Sequence, residues 1–193
     1  MIRRYRQGRR AETAEETRRR IVQATFDLHA EQGVAATTMK QIAARARVSV
    51  GTVYHHFPTY DDAITACGAH ASALFPTPTE ALFDGAADRA ERVRRLAQAL
   101  FTAFAGMRAF GSVLADQDRL PILRAFVDQE QAARLALCRA AAGEGPANTL
   151  AALVDHGSWD AFARLGFTPQ AAAERVAEVA EAWLATLPPE ETP

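Results

Sequence analysis

Apolar residues recur along most of the chain at i, i+3, i+4 and i+7, the spacing that gathers them on one face of an α-helix. Ile21, Ala24, Thr25 and Leu28 make the first such stripe and predict a helix from about Ala14 to Gln32, stopped by Gly33. A short second helix is expected after Thr38, because Thr38-Met39-Lys40-Gln41 reads as a capping box. A third starts after Ser49 and runs to about His56, where Pro58 forces a break. Thr59-Tyr60-Asp61-Asp62 then caps a further helix with two acids in its first turn.

Beyond Pro76-Thr77-Pro78 the pattern changes to longer amphipathic segments. Val93, Leu96, Ala97, Leu100, Phe101, Phe104 and Met107 form one continuous apolar face. Another helix opens near Pro121, turns Leu123, Phe126 and Val127 inward, and ends at Gly143. The segment from Ala147 to Leu165 places Leu150, Leu153, Val154, Gly157 and Ala161 on one face. The last helix is signalled by Thr168 and Pro169, carries Ala172, Val176, Val179, Ala180, Trp183, Leu184 and Leu187, and stops at Pro188. The expected fold class is all-α: an N-terminal three-helix unit, then a C-terminal helical bundle.

Composition supports this reading. The chain has 193 residues, 49% hydrophobic, and 43 of them are Ala, which favours helix over strand. Cys67 and Cys138 lie far apart with no Cys/His cluster near either, so no disulfide framework, metal or cofactor is expected, and a reducing cytoplasm is the inferred location. The basic start has no apolar stretch after it, which argues against a secretory signal. The window Leu96 to Ala115 is the one that resembles a membrane span, but Arg108 interrupts it, so it is read as a buried amphipathic helix.

A formal net charge of −1 argues against a nucleic-acid partner until it is divided. Up to Pro58 the chain carries 11 basic and 5 acidic residues, +6 net, and the remainder is −7. The basic part contains the run Thr37 to Phe57, in which two short helices are separated by about three residues. Ile42, Ala43, Ala46, Val48 and Val53 supply their internal contacts, and the small alanines permit close approach, as in a helix-turn-helix. The second of these helices would enter the DNA major groove with Ser49, Val50, Gly51, Thr52, Tyr54 and His55 outward.

This run resembles the DNA-binding domain of the tetracycline-repressor-like (TetR) family of bacterial regulators. The resemblance lies in Thr37-Thr38, Ile42-Ala43, Ala46, Val48-Ser49 and Gly51-Thr52-Val53-Tyr54-His55-His56-Phe57, preceded by Ile21, Ala24, Leu28 and Glu31-Gln32-Gly33. It implies that Thr38, Tyr54 and His56 contact phosphates, that Val50, Gly51 and Thr52 face bases, and that His55 does either. Lys40, Arg47, Ser49 and Tyr60 complete the candidate DNA-contacting set. Three positions depart from the family pattern: Arg47 stands where Gly is usual, Tyr60 replaces a common phosphate-binding Lys, and His29 replaces an apolar core residue. With Val50 outward, thymine-methyl contact and shape readout would carry more of the specificity.

The resemblance further implies a DNA-binding domain over residues 1–58 and a ligand-binding and dimerisation domain over residues 59–193. Phe101, Phe104, Met107, Phe126 and Trp159 would line an effector pocket, or serve as plain core. Leu153, Gly157, Ala161, Val176, Val179 and Trp183 would form a dimer interface. His70, Asp155 and His156 are candidates for polar contact to a ligand. The Asp155/His156 pair lacks a positioned nucleophile, so no catalytic role is assigned and the chain is read as a non-enzyme.

The resulting expectation is a homodimeric, cytoplasmic repressor that leaves a palindromic operator when an apolar or amphipathic small molecule binds. The alternatives are an activator, a ligand-independent DNA-binding protein, or an all-helical small-molecule carrier. The arginines at 3, 4, 6, 9 and 10 are either a solvated tail or an arm that follows the DNA backbone or enters the minor groove. If they form an arm, deleting residues 2–10 weakens DNA binding and flattens its salt dependence. An unchanged slope of log affinity against log salt refutes the arm.

Overall fold

Helix formers with local caps run through the chain, and every regular element among the described residues is helical. The structure is a computed structural model that describes residues 2–107 and 109–187, with side chains from Glu12 onward. The N-terminal arginines singled out above lie outside the described side chains. The helices are α1 (Ile2–Gln32), α2 (Met39–Ala46), α3 (Val50–His56), α4 (Tyr60–Leu74), α5 (Arg89–Gly106), α6 (Phe110–Asp116), α7 (Pro121–Ala142), α8 (Ala147–Leu153), α9 (His156–Arg164) and α10 (Pro169–Leu184). A 3-10 turn, Glu80–Phe83, precedes α5.

α1 begins before the Ala14 marked by the apolar spacing. Its earlier part needs no buried face, because Ala, Glu and Arg are intrinsically good helix formers. The segment from Ala147 to Leu165 is two helices rather than one. Asp155 accepts a hydrogen bond from the Ser158 N–H at 2.7 Å, which starts α9 afresh after α8 has ended at Leu153. α5 likewise stops at Gly106, where a Cβ would collide with the Phe75 ring, and α6 starts separately at Phe110.

The described chain divides into two compact units. The first comprises residues 1–74 and 109–125, so α6 and the start of α7 pack with α1–α4. Ile21, Val22, Ala24 and Leu28 of α1 meet Ile42, Ala43 and Ala46 of α2, Val53 of α3, Phe57 and Ala63 in one core. A second cluster joins Val34, Ile64 of α4 and Leu123 of α7. The other unit comprises residues 75–108 and 126–193. There α5 buries Val93, Leu96, Ala97, Leu100, Phe101 and Phe104, and α10 buries Ala172, Ala173, Val176, Ala177, Ala180 and Leu184. Alanines on α10 let it lie close along α5, and the Arg94–Glu181 pair at 2.8 Å ties the two helices at their surface.

Candidate nucleic-acid interface

Two caps and one strained turn hold α2 and α3 in place. Thr38 Oγ1 accepts from the Gln41 N–H at 3.3 Å, and Gln41 Oε1 accepts from the Thr38 N–H at 2.9 Å, which completes the expected capping box. Ser49 Oγ accepts from the Thr52 N–H at 3.0 Å and is also hydrogen-bonded to the Thr52 hydroxyl. Val53 and Phe57 are buried beneath α3, so its opposite side is free. Val50, Gly51, Tyr54 and His55 are exposed there, while Thr52 and His56 are half-buried. Lys40 and Arg47 are exposed on α2 and in the turn after it.

Arg47 has φ 56° and ψ 48°, and its N–H and that of Val48 close the end of α2 on Ala44 and Ala43 carbonyls. A left-handed conformation costs a residue with a Cβ about 1–2 kcal/mol, which explains why glycine suits this turn. Arg47→Gly is expected to stabilise the protein by about 0.5–1 kcal/mol, the relief being partly offset by the freer unfolded chain. Urea unfolding checks this, and a lower midpoint would contradict it. The Arg18 guanidinium lies 5.1 Å from the centre of the Phe57 ring, a cation–π contact that anchors the end of α3 to α1. Burial, His55 and Arg18 together hold His56 below the usual imidazole value, with Glu15 opposing them.

Tyr60 is placed differently from the other candidates. Its hydroxyl donates to the Val34 carbonyl at 2.6 Å and lies 2.9 Å from His29 Nε2. Because that hydroxyl proton is spent on Val34, His29 Nε2 must carry the imidazole proton, leaving Nδ1 to face the Cys67 thiol at 3.6 Å. Two of the three departures from the family pattern are therefore bonded to each other. Burial pushes His29 down to about 4 against a smaller upward pull from Asp116, raises Tyr60, and pushes the Cys67 thiol up to about 12.

In the other unit, Phe101 and Phe104 are buried, while Met107, Phe126 and Trp159 are half-buried. Phe101 meets Trp159 with ring centres 5.9 Å apart, and Phe104 meets His156 edge-on at 5.5 Å. Burial holds His156 below its usual value, against the pull of Asp160 and Asp155. The sequence reading missed a half-buried ion pair on α7, in which Arg134 Nη1 lies 3.0 Å from Glu130 Oε2. Burial raises Glu130 above the usual carboxylate range despite Arg134, and the Arg134 Nε–H is buried without a partner. The signal available was a Glu and an Arg one helical turn apart, which most often marks a solvated face. Of the proposed interface residues, Val176 is buried inside the unit, Leu153 and Trp183 are half-buried, and Gly157, Ala161 and Val179 are exposed. Val176 faces inward because α10 spends that side on its own core.

Residues 21–62 match the family described as bacterial regulatory proteins, tetR family. The HTH-type transcriptional repressor Rv3405c of Mycobacterium tuberculosis is 35% identical over 136 residues, covering 66% of this chain and 70% of that one. The crystal structure of the multidrug binding protein EbrR complexed with imidazole superposes with a TM-score of 0.62 at 26% identity, over 92% of this chain and 93% of EbrR. NalD, the secondary repressor of the MexAB-OprM multidrug efflux pump in Pseudomonas aeruginosa, shares the fold with a TM-score of 0.63 at 21% identity, over 89% and 96% of the two chains. The capped helix pair, with the polar side of α3 outward, defines a helix-turn-helix DNA-binding transcriptional regulator. Within that class the chain belongs to the TetR family of bacterial regulators.

Proposed function

We propose that this regulator is a homodimeric repressor in the cytoplasm, without enzymatic activity, that is released from a palindromic operator by a small apolar or amphipathic effector. Residues 1–58 form its DNA-binding part, and residues 59–193 bind the effector and the second subunit. The observation that carries the reading is α3: its inner side is fixed by Val53 and Phe57, while Val50, Gly51 and Tyr54 stand free at its outer side. Thr38, Lys40, Arg47, Ser49, Tyr54 and His56 would grip phosphates, and Val50, Gly51 and Thr52 would face base edges, with His55 serving either. Tyr60, whose hydroxyl is committed to Val34, would contribute by packing rather than by contact.

The name of the mycobacterial relative supports repression. The EbrR structures with imidazole, proflavin and malachite green support a small-molecule effector, for which the Phe101–Trp159 and Phe104–His156 ring pairs offer an apolar lining. Among the described residues no helix is long and apolar enough to cross a membrane. Exposed Val179, Leu165 and Phe167, with small Gly157 and Ala161, support pairing of α9 and α10 with a second subunit. Two-fold pairing would set two α3 helices about 34–36 Å apart, one turn of DNA.

The test is footprinting on the DNA upstream of the protein's own coding region, followed by affinity measurements with Thr52→Ala and Tyr54→Phe. Protection of a palindrome and loss of affinity in both variants is the expected result. If neither variant changes affinity, the assignment of α3 is wrong. A monomer by light scattering at micromolar concentration refutes the dimer.

A further inference from the structure

The turn leading into the helix-turn-helix is held from several sides at once. Gly33, with φ +91°, leaves α1, and the Val34 side chain is buried with Ile64 of α4 and Leu123 of α7. The Val34 carbonyl accepts from Tyr60. Gln32 Nε2 donates to the Ala36 carbonyl at 3.1 Å, and Thr37 Oγ1 donates to the Gly33 carbonyl at 2.8 Å.

The Ala35 N–H donates to a carboxylate 81 positions away, Asp116 Oδ2 on α6, at 2.9 Å. One turn earlier on α6, the single Ser112 Oγ–H is shared between the Ala109 carbonyl at 2.8 Å and the His29 carbonyl at 3.3 Å. The fit is close, since a Cβ at Gly33 would stand 3.4 Å from Asp116 Oδ2 and 3.6 Å from Ser112 Cβ. Ala35 is itself exposed, so water could satisfy its amide, whereas the Asp116 side chain is only 13% exposed. The bond is therefore not needed to satisfy the amide. What it adds is position, because a charge-assisted bond is stronger and better directed than one to water. Ala36 and Thr37 alone separate Ala35 from Thr38, the cap of α2.

We propose that Asp116 is a positioning residue for operator binding: by holding the Ala35 N–H it fixes the start of α2, and through the α2–α3 packing it sets the seat of α3 against base edges. This rests on the operator-binding reading above. α6 thereby reaches the DNA-binding motif directly, alongside the bridge that α4 provides through Tyr60.

The experiment compares the full-length protein with Asp116→Ala and Asp116→Asn. Affinity is read by fluorescence anisotropy for the footprinted operator and for an unrelated duplex at the same salt concentration, with hydrogen exchange followed at the Ala35 amide. Asp116→Ala is expected to weaken operator binding about tenfold, to leave the unrelated duplex within about twofold, and to speed Ala35 exchange. Asp116→Asn, which still offers an acceptor oxygen, recovers about half of the lost binding free energy and settles about threefold below wild type. The split between operator and unrelated DNA is a readout that simple loss of folded protein does not produce. If Asp116→Ala does not fold, Asp116→Asn decides, and unchanged operator affinity in it overturns the proposal. Operator affinity within twofold of wild type in Asp116→Ala, or an equal loss on both duplexes, also overturns it. Wild-type protein that prefers no duplex refutes the operator-binding reading instead, an outcome distinct from an insensitive Asp116→Ala.

Discussion

Gly51→Glu is expected to abolish operator recognition while leaving the protein folded. Gly51 lies in the first turn of α3 on its exposed side, and a Cβ there would meet nothing nearer than Ser49 Oγ at 3.7 Å. The helix accepts the change, since glycine is a poor helix residue and a carboxylate near a helix start is favourable. On DNA, the same carboxylate would enter a groove walled by phosphates at a position proposed to face bases. Like charges brought together at an interface cost several kcal/mol, and a loss of about 3 kcal/mol is roughly 100-fold in affinity. Anisotropy on the operator together with a thermal melt checks both halves. A variant that binds within threefold of wild type would show that α3 does not enter the groove by this side.

His29 is expected to make the protein sensitive to acid. It is 4% exposed, neutral in the fold down to about pH 4, and titrates at its ordinary 6.5 when the chain unfolds. Its folded value lies below the unfolded one, so the unfolded chain takes up the proton first and acid favours unfolding. Stability is fully present above pH 6.5 and falls as pH drops, by about 3 kcal/mol at pH 4. Protonation would also place a second donor, Nδ1–H, against the Cys67 thiol. His29→Leu restores an apolar residue at this position and removes the titrating group. Urea midpoints for wild type and His29→Leu, measured from pH 7 to pH 4, should diverge by about that amount as pH falls. Parallel curves would show that the acid response arises elsewhere.

Much of the helix-turn-helix was legible in the amino-acid sequence because its determinants are local. The Thr38–Gln41 box, the helix start after Ser49 and the break at Pro58 act within a few residues; the structure forms the box as expected, and Ser49 caps the helix that follows it. The break between α8 and α9 was legible in principle, since Asp155 is a strong capping residue, but the apolar stripe running from Leu150 to Ala161 masked it. Val176 and Val179 share one stripe on paper, yet only Val176 faces the core, because a helical face alone does not say which part a neighbour covers.

Most helix positions, the Thr38–Gln41 cap and the charge division at Pro58 follow from the sequence by itself, because propensity and capping are properties of short segments. Tertiary structure alone decided that Tyr60 and His29, two separate oddities along the chain, are one hydrogen-bonded pair. It also decided that Asp116, an ordinary acid at the end of a short helix, holds the amide of Ala35. In each case the energy depends on burial and on a partner brought close by packing, and neither is encoded by the residue's own neighbours.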